Sequence, residues 1–172
     1  MEKAGLLKEG PLAYLDAFVR RTGFDLRTTQ ALLSHDATPS KMYSANMDVG
    51  VVRQLVKQGV NATRALWEDA LPTWPKLAGV YLDLCTGSAA KLKAHLTALQ
   101  DRCLPNCILG YTLIQRDFDG EPLAQRVFHI VGWLYKHGWQ PTEGMWELAA
   151  STLPYKNSIG GSVVTQFWRF CG

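Results

Sequence analysis

Cysteine is scarce in this chain, and its placement excludes more than it suggests. Four cysteines occur among 172 residues. Cys103 and Cys107 stand four apart, Cys85 and Cys171 stand alone, and no CxxC or Cys/His quartet accompanies them, so no zinc centre is expected. Small buried thiols in a reducing compartment are the expectation. His129 and His137 are eight residues apart on one amphipathic stretch and do not make a metal pair. Neither a P-loop nor a dinucleotide fingerprint occurs. No window approaches the ~20 apolar residues that a membrane span requires. The opening MEKAGLLKEG lacks the apolar run of a signal peptide, which sets the expectation of a cytoplasmic, membrane-free protein. Charge is also thin, at 19% of residues and a net +3. Lys and Arg are scattered rather than striped, which permits a nucleic-acid partner without indicating one.

What remains is ordinary globular composition, 47% hydrophobic, in a length suited to one domain with a two-sided core. Residues 1–10 read as an extension and residues 11–172 as a single domain, with no repeat or low-complexity tract inside it. Short apolar segments alternate with helical ones. KMYSAN is followed by a helix, VGVVRQLVKQ, capped by Asp48 and stopped by Gly59, with Val49, Val52, Leu55 and Val56 expected on its buried face. NATRALWEDAL reads as a strand up to Leu66 and then a polar turn. After the proline loop LPTWPK comes LAGVYLDLC, the most strand-like stretch, apolar except for Asp83 and suited to a parallel strand covered on both faces.

SAAKLKAHLTALQDRCL places Leu92, Leu96, Leu99 and Cys103 at helical spacing. Pro105-Asn106 predicts a turn into a second buried strand, CILGYTLIQ. PLAQRVFHIVGWLYKHG is a long amphipathic helix ending at Gly138. MWELAAS follows, and SVVTQFWRF alternates as a strand, with Val164, Phe167 and Phe170 as expected core. Near the N-terminus GPLAYLDAFV fits a strand or a helix. The strand is preferred, because the sheet otherwise lacks its central member, with TTQALLSH behind it as a helix capped by Thr28. Strands separated by about a dozen helical residues imply right-handed crossovers. The expected fold is therefore a three-layer α/β/α, doubly wound, mainly parallel sheet. The connection around LPYKNSIGG returns the last strand antiparallel.

In such sheets ligands bind beyond the carboxyl ends of the strands, at the switch point. Those ends carry Asp16 with AFVRRTGF, Asn46 to Asp48, Trp67-Glu68-Asp69, Asp83 to Gly87, and Gln115 to Asp117. Over Pro11 to Phe170, the pieces LAYLDAF, KMYSANMD, ALWEDAL, GVYLDLCTG, LPNCILGYTL and SVVTQFWRF resemble the Rossmann-like S-adenosylmethionine-dependent methyltransferases. The resemblance implies S-adenosylmethionine as cofactor, with Asp16 at the first strand end and Asn46 at the ribose, Asp48 being a near alternative. Trp67, Glu68 and Asp69 would lie beside the adenine. Asp83 would orient or deprotonate the methyl acceptor, and Cys85, Thr86 and Arg116 would shape its pocket.

Two departures stand beside the likeness. AFVRRTGF contains only Gly23 where the family has a glycine-rich turn, whose glycines permit close backbone approach to a ligand. Asn46 replaces a carboxylate and contributes no charge. The place after GVYLDLCTG lacks the Asn/Asp-Pro-Pro-aromatic signature of the nucleic-acid amino methylases. Structural roles compete at each position: Asp48 as a plain helix cap, Asp83 as a paired carboxylate, Trp67 as packing. Arg20 and Arg21 could meet an anion or face water. Trp139, Trp146 and Trp168 could form an aromatic interface near the C-terminus. The resemblance thus carries two functions, a methyltransferase of unknown acceptor or a catalytically inactive binding or scaffolding module on the same fold.

Overall fold

The computed structural model describes residues 10–14, 18–20, 23–83, 89–114, 122–142, 155–156 and 162–171. In chain order the elements are β1 (Leu12–Tyr14), β2 (Phe18–Arg20), β3 (Gly23–Asp25), α1 (Arg27–Ser34), β4 (Met42–Ala45) and α2 (Val49–Lys57). They continue with β5 (Asn61–Thr63), α3 (Trp67–Ala70), β6 (Leu77–Asp83), α4 (Ala89–Gln100), β7 (Cys103–Ile114) and α5 (Leu123–Lys136). The last strands are β8 (Trp139–Pro141), β9 (Tyr155–Lys156) and β10 (Ser162–Phe170). Hydrogen-bonded neighbours in the main sheet run β5-β4-β1-β6-β7-β10-β8, and β2 and β3 pair separately. The fold is the expected one, a doubly wound, mainly parallel α/β sheet with an antiparallel last strand. The chain forms two compact units, residues 1–81 with 102–104, and residues 82–101 with 105–172.

In the first unit, β1 pairs in parallel with β4 (Leu12↔Met42) and with β6 (Leu12↔Gly79), and β4 pairs in parallel with β5. The strand preference for LAY is correct. The chain steps outward from β1 to β4 and β5, then returns to β6 on the far side of β1. This reversal puts the switch point between β1 and β6. Leu12, Tyr14, Leu26, Met42, Val51, Leu55 and Val60 form one buried cluster.

Helix α2 shows how local chemistry fixes these crossovers. Asp48 Oδ1 accepts from Gly50 N–H at 2.7 Å and Val51 N–H at 3.0 Å, as a cap must. At the other end Val60 N–H reaches Leu55 O and Gly59 N–H reaches Val56 O, a Schellman closure. It requires the left-handed Gly59, φ +82, where a Cβ would stand 3.2 Å from that of Pro39. The expected buried face needs correction: Val51 and Leu55 are buried, while Val49 and Val56 are exposed. Two apolar stripes share this short helix, and only one reaches the sheet.

Thr28 is not the cap of α1. Leu26 holds that position, and Thr28 lies within the helix. Thr29, buried beside it, shares a 2.9 Å hydrogen bond with the Tyr14 hydroxyl. β5 stops at Thr63 rather than Leu66, because WEDA turns into helix with Glu68 and Asp69 in its first turn, where acidic groups complement the helix dipole. The entry to β6 is fixed from behind. Arg102 donates to the carbonyls of Pro72 and Trp74, and its own carbonyl accepts from Leu77 N–H at 2.7 Å.

In the second unit, α4 buries Leu92, Leu96 and Leu99 as expected, but Cys103 opens β7 instead of closing the helix. Pro105-Asn106 makes no chain reversal. Asn106 takes a left-handed φ of +64 within the continuous β7, a conformation Asn tolerates better than most residues. β10 runs antiparallel to β7, β8 and β9. Its buried residues are Val164, Gln166 and Trp168, whereas Phe167 and Phe170 are half-buried. Strand alternation turns Phe167 away from the buried side, whereas Phe170 shares the buried parity and stands at the strand's last position. Trp139 and Trp168 are buried, so they offer no exposed aromatic interface. Trp146 and MWELAAS lie outside the described residues.

Gln166 is accommodated in the core by its cross-strand partner. Tyr111 stands opposite it and donates its hydroxyl to Gln166 Oε1. Burial pushes the Tyr111 phenol far above its usual range. The unfolded chain releases that proton above about pH 10 while the folded chain keeps it, so stability falls as pH rises beyond that point. Tyr111→Phe should cost about 1–3 kcal/mol at pH 7, because Gln166 is left buried without its donor. The gap to wild type should then narrow above about pH 10. Urea unfolding across pH 7 to 11 checks both, and a constant gap would contradict the role assigned to burial.

Candidate functional site

The carboxyl ends of β1, β4 and β5 lie together, since these strands pair in parallel and in register. Tyr14 ends β1 as a buried residue, and its carbonyl accepts from Ser44 Oγ at 3.0 Å. Asn46 follows β4 directly. Its backbone N–H reaches Thr63 O at 3.1 Å, which ties the loop to β5. Its side-chain Oδ1 accepts from Asp48 N–H at 2.8 Å. The Asn46-Met47-Asp48 turn therefore ends one strand and caps α2 in consecutive steps, with Asn46 half-buried and Asp48 exposed.

Asp48 fulfils the cap role, and its Oδ1 is committed to two backbone N–H groups. Trp67 is 4% exposed and meets Trp74 edge-on at 5.6 Å between ring centroids. Its ring belongs to the core. Glu68 and Asp69 are exposed on the same short helix. Asp83 ends β6 as expected but is exposed rather than buried, because the strand leaves the core at its last residue, so it is not a desolvated carboxylate. Asp16, Cys85, Thr86, Arg116 and Arg21 lie outside the described residues. Arg20 belongs to β2, which pairs with β3 (Phe18↔Asp25, Arg20↔Gly23) in the segment where a glycine-rich turn was sought.

One residue of the site is not evident from the sequence. Arg64 follows β5 immediately, and its Nε donates to the Met47 carbonyl at 3.3 Å. The guanidinium is thereby held at the turn that carries Asn46. Met47, whose carbonyl it holds, and Leu66, two residues on in the chain, are large apolar residues left more than half exposed. Placing the end of β5 at Leu66 hid this arginine inside a strand; the helix-forming WEDA was the signal that the strand stops earlier. Among the described residues no group of three or more His, Cys, Asp or Glu could hold a metal ion. No helix among them is long and apolar enough to cross a membrane.

No protein-family model matches the chain, and no curated protein sequence matches it either. Solved structures do. The O-methyltransferase TomG from Streptomyces achromogenes, in complex with S-adenosylmethionine, matches at a TM-score of 0.60 and 13% identity, over 99% of this chain and 78% of TomG. An rRNA methylase from Streptococcus thermophilus matches at 0.60 and 11%, over 99% of this chain and 93% of the methylase. The chain has the Rossmann-like methyltransferase fold. A third likeness, NSun6 from Pyrococcus horikoshii with SFG, has a TM-score of 0.63 and 10% identity over 95% of this chain and 48% of NSun6. In the methyltransferase fold the turn after β4 is the place where the sequence resemblance put the ribose, and that turn is where Asn46 stands.

Proposed function

We propose that the chain is an S-adenosylmethionine-dependent methyltransferase that binds its cofactor at the carboxyl ends of β1 and β4. The observation that carries this reading is the reversal of strand order at β1 and β6, which opens a ligand crevice at that end of a doubly wound sheet. In this reading Asn46 meets the ribose, with Asp48 holding the turn in shape and Asp16, two residues after β1 in the chain, as a further cofactor contact. Glu68 and Asp69 lie on the adenine side. Asp83 at the end of β6 orients or deprotonates the acceptor, and Cys85, Thr86 and Arg116 line the acceptor pocket. Methyl transfer from a sulfonium asks mainly for in-line positioning, supplemented by a base when the nucleophile is weak.

Calorimetric titration with S-adenosylmethionine and S-adenosylhomocysteine tests the reading. Saturable heat and a rise in melting temperature are expected, and Asn46→Ala should weaken binding about tenfold, the loss of one good hydrogen bond in a desolvated site. No heat and no stabilisation at millimolar ligand would remove the enzyme reading. The second reading, a binding module that kept the sheet without the cofactor, would then stand. It is favoured by one observation, the β2–β3 hairpin after β1 in place of a glycine-rich turn.

A further inference from the structure

Helix α5 carries two stripes along its length, one buried and one apolar stripe left largely uncovered. Leu123, Arg126, Ile130 and Leu134 are buried. On another face Ala124, Phe128, Val131 and Tyr135 stand four, three and four residues apart, the spacing at which one helix presents a seam to another. Phe128 is 74% exposed and Tyr135 42% exposed, while Ala124 is exposed and Val131 half-buried. The Tyr135 ring rests edge-on against Trp168 at 5.4 Å between centroids, which holds it in place and lowers the entropy lost on contact. Gly132 lies beside this stripe, exposed, and a Cβ there would meet nothing within 4 Å. A glycine weakens a helix interior, and what it permits is the close approach of another backbone or ring.

The uncovered stripe is complementary to itself. When α5 runs antiparallel to a copy about a two-fold axis between residues 129 and 130, Phe128 stands opposite Val131 and Tyr135 opposite Ala124. Each layer then sets a large side chain against a smaller one. Gly132 of one copy forms a wall of the hole that receives Phe128 of the other, and deepens it. The flanking positions are Gln125 and Gly132 on one side and Val127 on the other. None is charged, so identical copies meet there without like-charge repulsion. A helix built to lie on a membrane carries cations along such flanks. We propose that α5 is the interface of a reversible homodimer, in which the helices of two copies pair antiparallel through Phe128, Val131 and Tyr135. With about 200 Å² for a large aromatic side chain, the two rings expose about 230 Å² per copy. That area is well short of the roughly 800 Å² per partner that a stable complex buries, which places the pairing in the weak, transient class. The inference does not depend on the cofactor reading.

Sedimentation velocity of the full chain between about 5 and 300 µM tests it. Monomers should convert reversibly to dimers, with the midpoint between about 10 and 200 µM. The association should hold or tighten as salt rises from about 0.05 to 0.5 M, because screening does not weaken an apolar seam. Phe128→Lys, Val131→Glu and Gly132→Gln should each weaken it at least about tenfold. Phe128 and Gly132 are exposed, so Phe128→Lys and Gly132→Gln should keep the melting temperature within about 2 °C of wild type. These two variants decide the question even where Val131→Glu fails to fold. An equimolar mixture of Phe128→Lys and Val131→Glu should associate at least about fivefold more tightly than either variant alone. In the mixed dimer the introduced lysine faces the introduced glutamate, and the second layer stays native. A single monomeric species up to about 300 µM overturns the proposal, and so does a dimer unaffected by both Phe128→Lys and Gly132→Gln. A mixture of folded variants no tighter than its components overturns the antiparallel pairing. Monomers that instead bind vesicles of anionic lipid or single-stranded RNA, and release them as salt rises, would assign the stripe to another partner and overturn it as well.

Discussion

Trp139→Ala should lower the unfolding free energy by about 3–5 kcal/mol, whereas Trp139→Phe should change it by less than about 1.5 kcal/mol. Trp139 is the first residue of β8 and is fully buried. Its ring lies 5.0 Å from that of Phe170, the residue it faces across the strand pair. Truncation leaves a cavity beneath a three-residue strand that has few backbone bonds of its own. Phenylalanine keeps the aromatic contact with Phe170. It also deletes an indole N–H that finds no hydrogen-bond partner among the described residues, and an unpaired buried donor costs about 1–3 kcal/mol. The lost area and the relieved donor therefore oppose each other in the Phe variant. Denaturant unfolding of both variants separates them, and equal losses would show that the indole nitrogen is satisfied.

On the proposed methyltransferase reading, Asp83→Asn should slow methyl transfer about 100- to 10,000-fold, the usual worth of a positioned base, while S-adenosylhomocysteine binds within about twofold of wild type. Asp83 is the last residue of β6 and exposed, so asparagine, nearly the same shape, replaces it without a buried charge to lose. The measurement is transfer of labelled methyl from S-adenosylmethionine to any acceptor that the wild type methylates. An unchanged rate would take Asp83 out of the chemistry. A matching loss of cofactor binding would make it a cofactor contact instead.

The parts of this fold that were legible in the sequence are those fixed by neighbours in the chain. Asp48 announces a helix because a carboxylate three residues ahead of free backbone N–H groups has one good use, and Gly59 announces its end because the closing turn needs a left-handed residue. The strand at LAGVYLDL was legible because no polar residue interrupts it before Asp83. Features decided by distant partners were not. Val49 and Val56 have the same hydropathy as Val51, and only the position of the sheet tells them apart. Gln166 can be buried because Tyr111 waits opposite on β7, a partner that its own neighbours in the chain do not announce. At the site, Asn46 was found from its place after an apolar strand. Arg64 was missed because its meaning depends on a carbonyl 17 residues earlier in the chain.

The two ends of the strand order carry a consequence for how this protein behaves at high concentration. β5 and β8 are each three residues long. At β5 the Asn61 side chain turns inward and donates to the carbonyls of Ser40 and Met42, while β8 ends in Pro141, which has no N–H to give. An exposed strand invites another chain in proportion to the row of unpaired backbone groups it presents, and short or proline-bearing edges blunt that invitation. Among the described residues, these two end strands thus offer a neighbouring molecule only a short template to extend.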